Sequence, residues 1–268
     1  MVLRTIPSFA GITLLALAVA APAHAADTSS RTFLQPHLQV GEHLSHVFSR
    51  AISIKGSGFK EVVARVSGTS YATVVSIGPD GIVMHGGYRY DGKPAGSGEQ
   101  RLLPGGVTAC WNDQCAVDHE TSGATFNRTL WGRAPKNLHV GMAWTATIAE
   151  PWELGPPGTE TVSVLRLDPS DRAVTLFRDG HGVGRSLHDL RVKQVTITTD
   201  QGTPLKVRIV PGETHWSGRT IVRDGIIVAD TIMVKRHVTL VSKSGRKFAG
   251  EERAYTLENL LQDHAGSR

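Results

Sequence analysis

The stretch that decides the fold is IIVADTIMVKRHVTLV, residues 226–241. Its apolar side chains recur at every second position, which is the repeat of a β-strand with one buried face. A run of this length predicts a long strand that curves strongly. The positions that share the apolar face are Ile226, Val228, Ile232, Val234, Val238 and Leu240.

Two charged residues, Asp230 and Arg236, fall on that same face. They are six residues apart, which is roughly 20 Å along a strand, so they cannot pair with each other. Either a bulge or a strand end turns them to water, or each is a polar group in a ligand cavity or in a buried pair with another partner. We name both residues as candidate ligand or partner contacts.

The same alternation recurs at 82–90, 140–148 and 205–209, and turn-forming dipeptides separate such segments. Asp224-Gly225, between two apolar runs, is a strong hairpin signal. Long helical repeats are nearly absent. We therefore predict an all-β fold, an antiparallel meander that forms a curved sheet, barrel or clam with at most one short helix.

Residues 42–54 are ambiguous, because their apolar positions fit both a helical stripe and a strand face. The outcome decides whether His43 and His46 are weak candidates for a metal site. On a helix they would share a face, whereas on a strand they point to opposite faces. We favour a strand, because the downstream segments have strand patterns, and we predict no metal.

The N-terminus reads as an export signal. Arg4 precedes an uncharged apolar run at 9–21, and Ala23-His24-Ala25 supplies small residues for cleavage. We predict a signal peptide at 1–25 and a single all-β domain at 26–268, periplasmic or secreted. A candidate lobe boundary lies near 134–138, and no later segment is long and apolar enough to span a membrane.

The two cysteines, Cys110 and Cys115, flank a segment that contains Asn112-Asp113, which favours a turn. An exported chain meets an oxidising compartment, so we predict a disulfide across a hairpin. The four-residue spacing differs from the Cys-x-x-Cys of redox motifs. A zinc site would need two further ligands.

Three tryptophans are candidate ligand or partner contacts. Trp111 lies on the stapled turn, Trp152 begins a rigid loop rich in proline and glycine, and Trp144 alternates with core positions. The alternative for each is packing: Trp111 against its hairpin, Trp152 as a plug over the end of the fold, and Trp144 in the core together with Trp216.

Catalytic motifs are not assembled locally. The glycine-rich segment 179–189 precedes a strand pattern rather than the helix of a phosphate-binding loop, and no serine lies in a G-x-S-x-G elbow. A histidine- or metal-dependent hydrolase remains an alternative. It requires at least three of these side chains to converge: His43, His46, His181, His188, His215, Asp189 and Asp230.

We therefore expect an exported, non-catalytic protein that binds an apolar or amphipathic ligand, such as a lipid, or an envelope protein. A structural or interaction module of the envelope is a further alternative. The pattern is similar to that of half-barrel envelope proteins that carry lipids, a likeness of fold that contributes no site residue. The net charge of +5 suits an anionic partner, no nucleic-acid motif is present, and we predict no cofactor.

Overall fold

The computed structural model describes residues 33–90, 93–102, 109–111, 114–116, 134–148 and 151–261. The predicted signal peptide lies outside these ranges, so it stays a prediction. Among the described residues, none belongs to a helix with the length and apolar character needed to cross a bilayer.

Within these ranges thirteen strands form one antiparallel sheet. In chain order they are β1 His43–Gly56, β2 Val62–Gly78, β3 Gly81–Tyr90, β4 Lys93–Leu102, β5 Ala109–Trp111, β6 Gln114–Ala116, β7 Ala143–Ile148, β8 Gly158–Asp168, β9 Ala173–Val183, β10 Val195–Thr198, β11 Pro204–Arg223, β12 Ile226–Ser242 and β13 Lys247–Leu261.

The strand order is β6-β5-β4-β3-β2-β1-β13-β12-β11-β9-β8-β7, and β10 pairs with β11 beside this path. Neighbours in the sheet are thus mostly neighbours in sequence, as in a meander. The pairing of β1 with β13, residues 45–56 against 250–261, joins the N-terminal strands to the C-terminal ones. Within the described ranges the end strands β6 and β7 do not pair, so the sheet is open.

A short helix, α1 (Leu187–Arg191), accompanies the strands. Ser186 caps it, because the Ser186 side chain accepts a hydrogen bond from the Asp189 amide while the Asp189 carboxylate accepts one from the Ser186 amide. This reciprocal capping box stabilises a helix too short to persist alone. The predicted fold class, an all-β meander with at most one short helix, is confirmed.

The long strand at 226–241 is β12, which lies between β11 and β13. Its buried positions alternate as predicted from Ile232 to Leu240. At its start Ile226 and Ile227 are both buried and Val228 is only partly buried, beside a register shift in β11. Its pairing with β13 continues without a register shift from Ala229 to Val241. The hairpin before it turns at Asp224 and Gly225, whose φ angles are +52° and +76°. Two successive positive φ angles match the twist of the flanking strands, which explains the Asp-Gly signal.

The ambiguous segment 42–54 is strand β1, which pairs with β2 and β13. Alternation along β1 leaves His43 exposed and buries His46. The strand interpretation is therefore confirmed, and the two imidazoles lie on opposite faces of the sheet.

We call the face of the sheet that carries Val234 and Arg236 the inner face, and the opposite one the outer face. Residues 151–157, which we call the covering loop, and helix α1 lie against the inner face. They are joined to each other because the amides of Leu187 and His188 donate to the carbonyls of Trp152 and Glu153. One apolar cluster includes buried side chains of the covering loop and of the strands around it: Ile52, Ile148, Trp152, Leu154, Trp216, Ile232, Val234 and Ala254.

Candidate ligand-binding face

Two tryptophans fill the inner face over β11 and β12. Trp216 packs edge-on against Trp152, with ring centroids 5.6 Å apart, and both side chains are buried. Trp144 is partly buried against a neighbouring apolar cluster that contains Val162 and Leu176. This half of the inner face is therefore core. Trp152 lies there as a plug and not as an exposed rim contact.

Arg236 is buried on the inner face and does not turn to water. Its guanidinium forms a bidentate ion pair with Asp189 of α1, with Nη2 to Oδ1 at 2.7 Å. Nη2 also donates to Glu252 Oε1 of β13 at 2.8 Å. Arg236 thus ties α1 and its covering loop to the sheet, a structural role that sequence alone did not assign.

The charges of this group shift one another's protonation. Burial works to raise the pKa of Asp189, but the hydrogen bonds and charge of Arg236, with the bonds from Ser186, hold it below its usual range. Burial opposes the charged form of Arg236, yet its two carboxylate partners raise its pKa. Burial raises the pKa of Glu252, and Arg236 limits that rise.

Asp230 also keeps to the inner face and has partners on other strands. Arg178 Nη2 donates to Asp230 Oδ1 at 2.9 Å, and the Thr220 hydroxyl donates to the same oxygen at 2.7 Å. Arg178 is fully buried, and its Nε and Nη1 atoms have no hydrogen-bond partner among the described residues. Asp230, which the sequence indicated would need a partner other than Arg236, thus pairs with Arg178, 52 positions away in sequence.

Two further carboxyl groups on this face titrate near neutral pH. Burial raises the pKa of Glu160 to about 7, against the charge of Arg178 and a hydrogen bond from Trp216. Burial, with the neighbouring Asp230 carboxylate, raises the pKa of Glu258 to about 8, while Arg50 opposes the rise. At neutral pH Glu258 is therefore largely protonated and is able to donate a hydrogen bond.

Beyond β13 the inner face becomes aromatic and more open. Phe48 packs edge-on against Tyr90 at 5.5 Å between centroids, and Tyr90 against Tyr88 at 5.4 Å. The Phe48 ring lies over Gly68, where a Cβ atom would approach the ring to 2.5 Å. Only glycine allows that contact, so β2 is shaped to receive the ring.

We call Phe48, Tyr88 and Tyr90 the aromatic cluster. It directly adjoins the carboxyl row, which is formed by Glu258 and Asp230. Phe48 on β1 is opposite Glu258 on β13, which is in turn opposite Asp230 on β12. Arg50, two residues from Phe48 on the same face, forms an ion pair with Glu153 of the covering loop. Side chains directly opposite each other on antiparallel strands are about 5 Å apart at Cβ, so an apolar surface and hydrogen-bonding groups meet here.

Sequence reasoning assigned no binding role to Phe48, Tyr88 or Tyr90. It placed the two tyrosines on one face of 82–90 and Phe48 within the ambiguous segment. The sequence did not show that β1 pairs with β2 and β2 with β3, and these two pairings bring the three rings together. Among the signals in the sequence, only the period-two spacing of Tyr88 and Tyr90 pointed to a shared face.

The predicted cysteine hairpin is described in its backbone. Strands β5 and β6 pair antiparallel with Cys110 opposite Cys115, and Trp111 ends β5. The side chains of these three residues lie outside what the structure describes, as do residues 112–113. The disulfide and the contact role of Trp111 stay predictions.

The histidines that a hydrolase would need are spread over the sheet. His43 lies exposed beside Thr73, whereas His46 Nε2 donates to the buried Ile227 carbonyl at 2.9 Å, and burial lowers the pKa of His46. His181 and His215 are neighbours on the outer face, with ring centroids 6.2 Å apart. On the inner face Asp189 pairs with Arg236, whereas Asp230 pairs with Arg178. The described ranges hold no group of three or more potential metal ligands.

Neither a family model nor a curated protein matches this sequence. Among solved structures, the chain is similar to one described as lipid-protein interactions in lipovitellin, with 11% identity, 87% of this chain and 26% of that chain covered, and a TM-score of 0.39. This chain thus spans about a quarter of that one.

Two outer membrane channels are also similar. DcaP of Acinetobacter baumannii shows 8% identity over 82% of this chain and 96% of its own, with a TM-score of 0.23. A channel from Pseudomonas putida F1 shows 7% identity over 84% and 97%, with a TM-score of 0.21. All three TM-scores lie below one half, so none of these proteins assigns a family or a function to this chain.

Proposed function

We propose that this protein is a non-catalytic, exported binding protein that holds an amphipathic molecule against its inner face, at the aromatic cluster of Phe48, Tyr88 and Tyr90. The single observation that carries the proposal is the junction at Phe48 and Glu258, where the half-buried Phe48 and Tyr90 and the exposed Tyr88 adjoin the carboxyl groups of Glu258 and Asp230. A ligand with an apolar body and a polar head matches both parts.

The apolar part of the ligand would lie on the aromatic cluster. Tyr88 is exposed although it lies on the same face as the buried Met84, and Ala64 and Val66 of β2 are also accessible. Aromatic side chains contribute large contact area at little cost in conformational entropy. Burial of these accessible surfaces would supply most of the binding free energy.

The polar head of the ligand would reach Glu258 and the guanidinium of Arg50. A Glu258 that is protonated at neutral pH donates one hydrogen bond, and Arg50 adds positive charge. Three of the contacts named from the sequence would then support the site and not touch the ligand. Trp152 and Arg236 hold the covering loop and α1 against the sheet, and Asp230 pairs with Arg178.

A fluorescence titration tests this proposal. Purified protein is titrated with a dansyl-labelled fatty acid and, separately, with a labelled lysophospholipid, and the blue shift of dansyl emission reports entry into an apolar site. We expect saturable binding that weakens at least about tenfold in Tyr88→Ala, because the substitution removes aromatic contact area.

Tyr71→Ala is the matched control. Tyr71 lies on the outer face of β2 and is 39% exposed, against 36% for Tyr88 on the inner face. The control should bind both probes as the unmodified protein does. Equal weakening in Tyr71→Ala and Tyr88→Ala, or no binding of either probe to the unmodified protein, would contradict the proposal.

A further inference from the structure

The outer face carries an apolar patch at the centre of the sheet, away from the proposed ligand site. Met233, Tyr255 and Val63 are 52%, 40% and 54% exposed. Met233 on β12 is opposite Tyr255 on β13, which is opposite Ala51 on β1. Val63 on β2 is opposite Ser53, two residues further along β1. These five residues, on four adjacent strands, define the outer patch.

The outer patch is a shallow depression rather than a flat surface. Ala51 and Ser53 form a low floor, and the longer side chains of Val63, Met233 and Tyr255 rise beside it. Arg65 and Arg253 line the same depression. Its open shape suits contact with a broad surface better than enclosure of a small molecule.

Positive charge surrounds the outer patch and is more exposed than the negative charge beside it. The side chains of Lys55, Lys235 and Arg253 are 68%, 55% and 64% exposed, whereas those of Glu61 and Glu251 are 40% and 28% exposed. Glu251 is shared by two of the cations, Lys235 and Arg253. The cations are therefore more accessible to an approaching surface than the acids that pair with them.

Arg65 adds an uncompensated charge to this rim. It is exposed on the outer face of β2, opposite Ala51, and no ion pair to it occurs within the described ranges. Four cations against two carboxylates leave the rim with net positive charge. An anionic surface would be attracted to this rim and would also bury the exposed apolar side chains.

We infer that the outer patch docks the protein onto an anionic lipid surface. Each basic side chain close to such a surface strengthens binding severalfold. Tyrosine is enriched at membrane interfaces, and methionine adds a flexible apolar side chain. The net positive rim is complementary to an anionic surface, and Met233 and Tyr255 at its centre supply the apolar contact that such a surface would cover. This inference concerns the face opposite the proposed ligand site and stands independently of it.

Co-sedimentation with vesicles tests the inference. The full chain is mixed with vesicles of phosphatidylcholine alone and with vesicles of equal parts phosphatidylglycerol and phosphatidylcholine. We expect binding to the anionic vesicles only, with loss of binding as salt is raised. Arg65→Glu and Met233→Ser should each lower the binding constant by about fivefold or more, because one reverses a rim charge and the other removes the apolar centre.

Two control variants separate the outer patch from the rest of the outer face. Phe177→Ser removes a comparably exposed apolar side chain on β9, and Arg208→Glu makes the same charge reversal on β11. Both should bind anionic vesicles as the unmodified protein does. Thermal melting of all four variants shows whether each is folded.

Three outcomes would overturn the inference. The first is no binding to anionic vesicles, and the second is equal binding to both kinds of vesicle. The third is equal loss in the patch variants and in the controls. A photo-crosslinker at position 233 that captures an envelope protein, while the vesicles bind nothing, would identify a protein partner instead of lipid.

Discussion

Arg236 and Asp189 form a bidentate ion pair that joins strand β12 to helix α1 across 47 residues of sequence. Both side chains are almost entirely buried, and Glu252 completes the group from β13. Because Asp189 also closes the capping box on Ser186, one carboxylate both organises the helix and fixes it to the sheet. The covering loop over Trp216 depends on this connection.

Asp189→Ala should therefore destabilise the fold strongly. The substitution breaks a buried ion pair and leaves the Arg236 charge only partly compensated, which costs about 3 to 5 kcal/mol. Urea denaturation followed by tryptophan fluorescence measures the change. Ser186→Ala, which removes the cap alone, should cost about 1 kcal/mol. Equal losses in the two variants would mean that the ion pair adds little beyond the cap.

The surface ion pair of Arg253 with Glu251 is the contrasting case. Its guanidinium is exposed, so solvent screens the interaction, and Arg253→Gln should change the free energy of unfolding by less than about 1 kcal/mol. A loss as large as that in Asp189→Ala would show that burial does not decide the strength of these pairs.

Glu160→Gln should change how stability depends on pH. The pKa of Glu160 is about 7 in the folded chain against 4.5 for an ordinary glutamate. The folded state therefore favours the protonated form of Glu160. The contribution of this proton to the free energy of unfolding is complete below about pH 4.5 and is lost as the pH rises through 7. Gln keeps an oxygen that accepts from Trp216 and has no such titration.

The measurement is the difference in unfolding free energy between the two proteins at a series of pH values. Between about pH 4.5 and pH 8 the unmodified protein should lose stability relative to Glu160→Gln, by an amount on the order of 3 kcal/mol. His46 titrates in both proteins, so its effect cancels in the difference. Two curves that run parallel over this range would refute the assignment.

His46→Ala and His43→Ala should lower the free energy of unfolding by different amounts, although the two residues are only three positions apart. His46 is buried and donates to the Ile227 carbonyl, so its removal leaves a cavity and an unpaired carbonyl and costs about 2 to 4 kcal/mol. His43 is exposed, and its removal should cost less than about 0.5 kcal/mol. Thermal melting of both variants checks the strand alternation of β1.

Cys110 and Cys115 should form a disulfide. Their Cα atoms are paired across β5 and β6, and such pairs are about 4.5 to 5.5 Å apart, within the range that a disulfide spans. Alkylation of denatured protein followed by mass spectrometry should find no free thiol unless a reductant is added. Removing the bond by Cys110→Ala with Cys115→Ala should cost about 2 kcal/mol. Alkylated thiols in unreduced, secreted material would refute this pairing.

Much of the fold could be predicted because strand formation depends on local pattern. The alternation in 226–241 predicted β12, Asp224-Gly225 predicted its hairpin, and the strand patterns downstream favoured a strand at 42–54, where the apolar spacing alone was ambiguous. These features depend on side-chain period and turn geometry, both of which involve residues close in sequence.

The candidate site could be predicted only in fragments. Asp230 and Arg236 were recognised as charges on an apolar face, but their partners Arg178 and Asp189 could not be named. Trp152 and Trp144 were proposed as contacts, whereas the aromatic cluster at the open part of the inner face consists of Phe48, Tyr88 and Tyr90. A period-two pattern says that a side chain faces the core or solvent, but not which strand lies beside it.

The sequence by itself determined the strands, their turns and the faces of most of their side chains, since each follows from the chain's local geometry. Only the tertiary structure decided that β1 pairs with β13, which brings Phe48 opposite Glu258 and sets an aromatic surface beside a carboxyl row. That pairing joins residues some two hundred positions apart. Its free energy comes from the burial of many side chains at once, so no single segment encodes it.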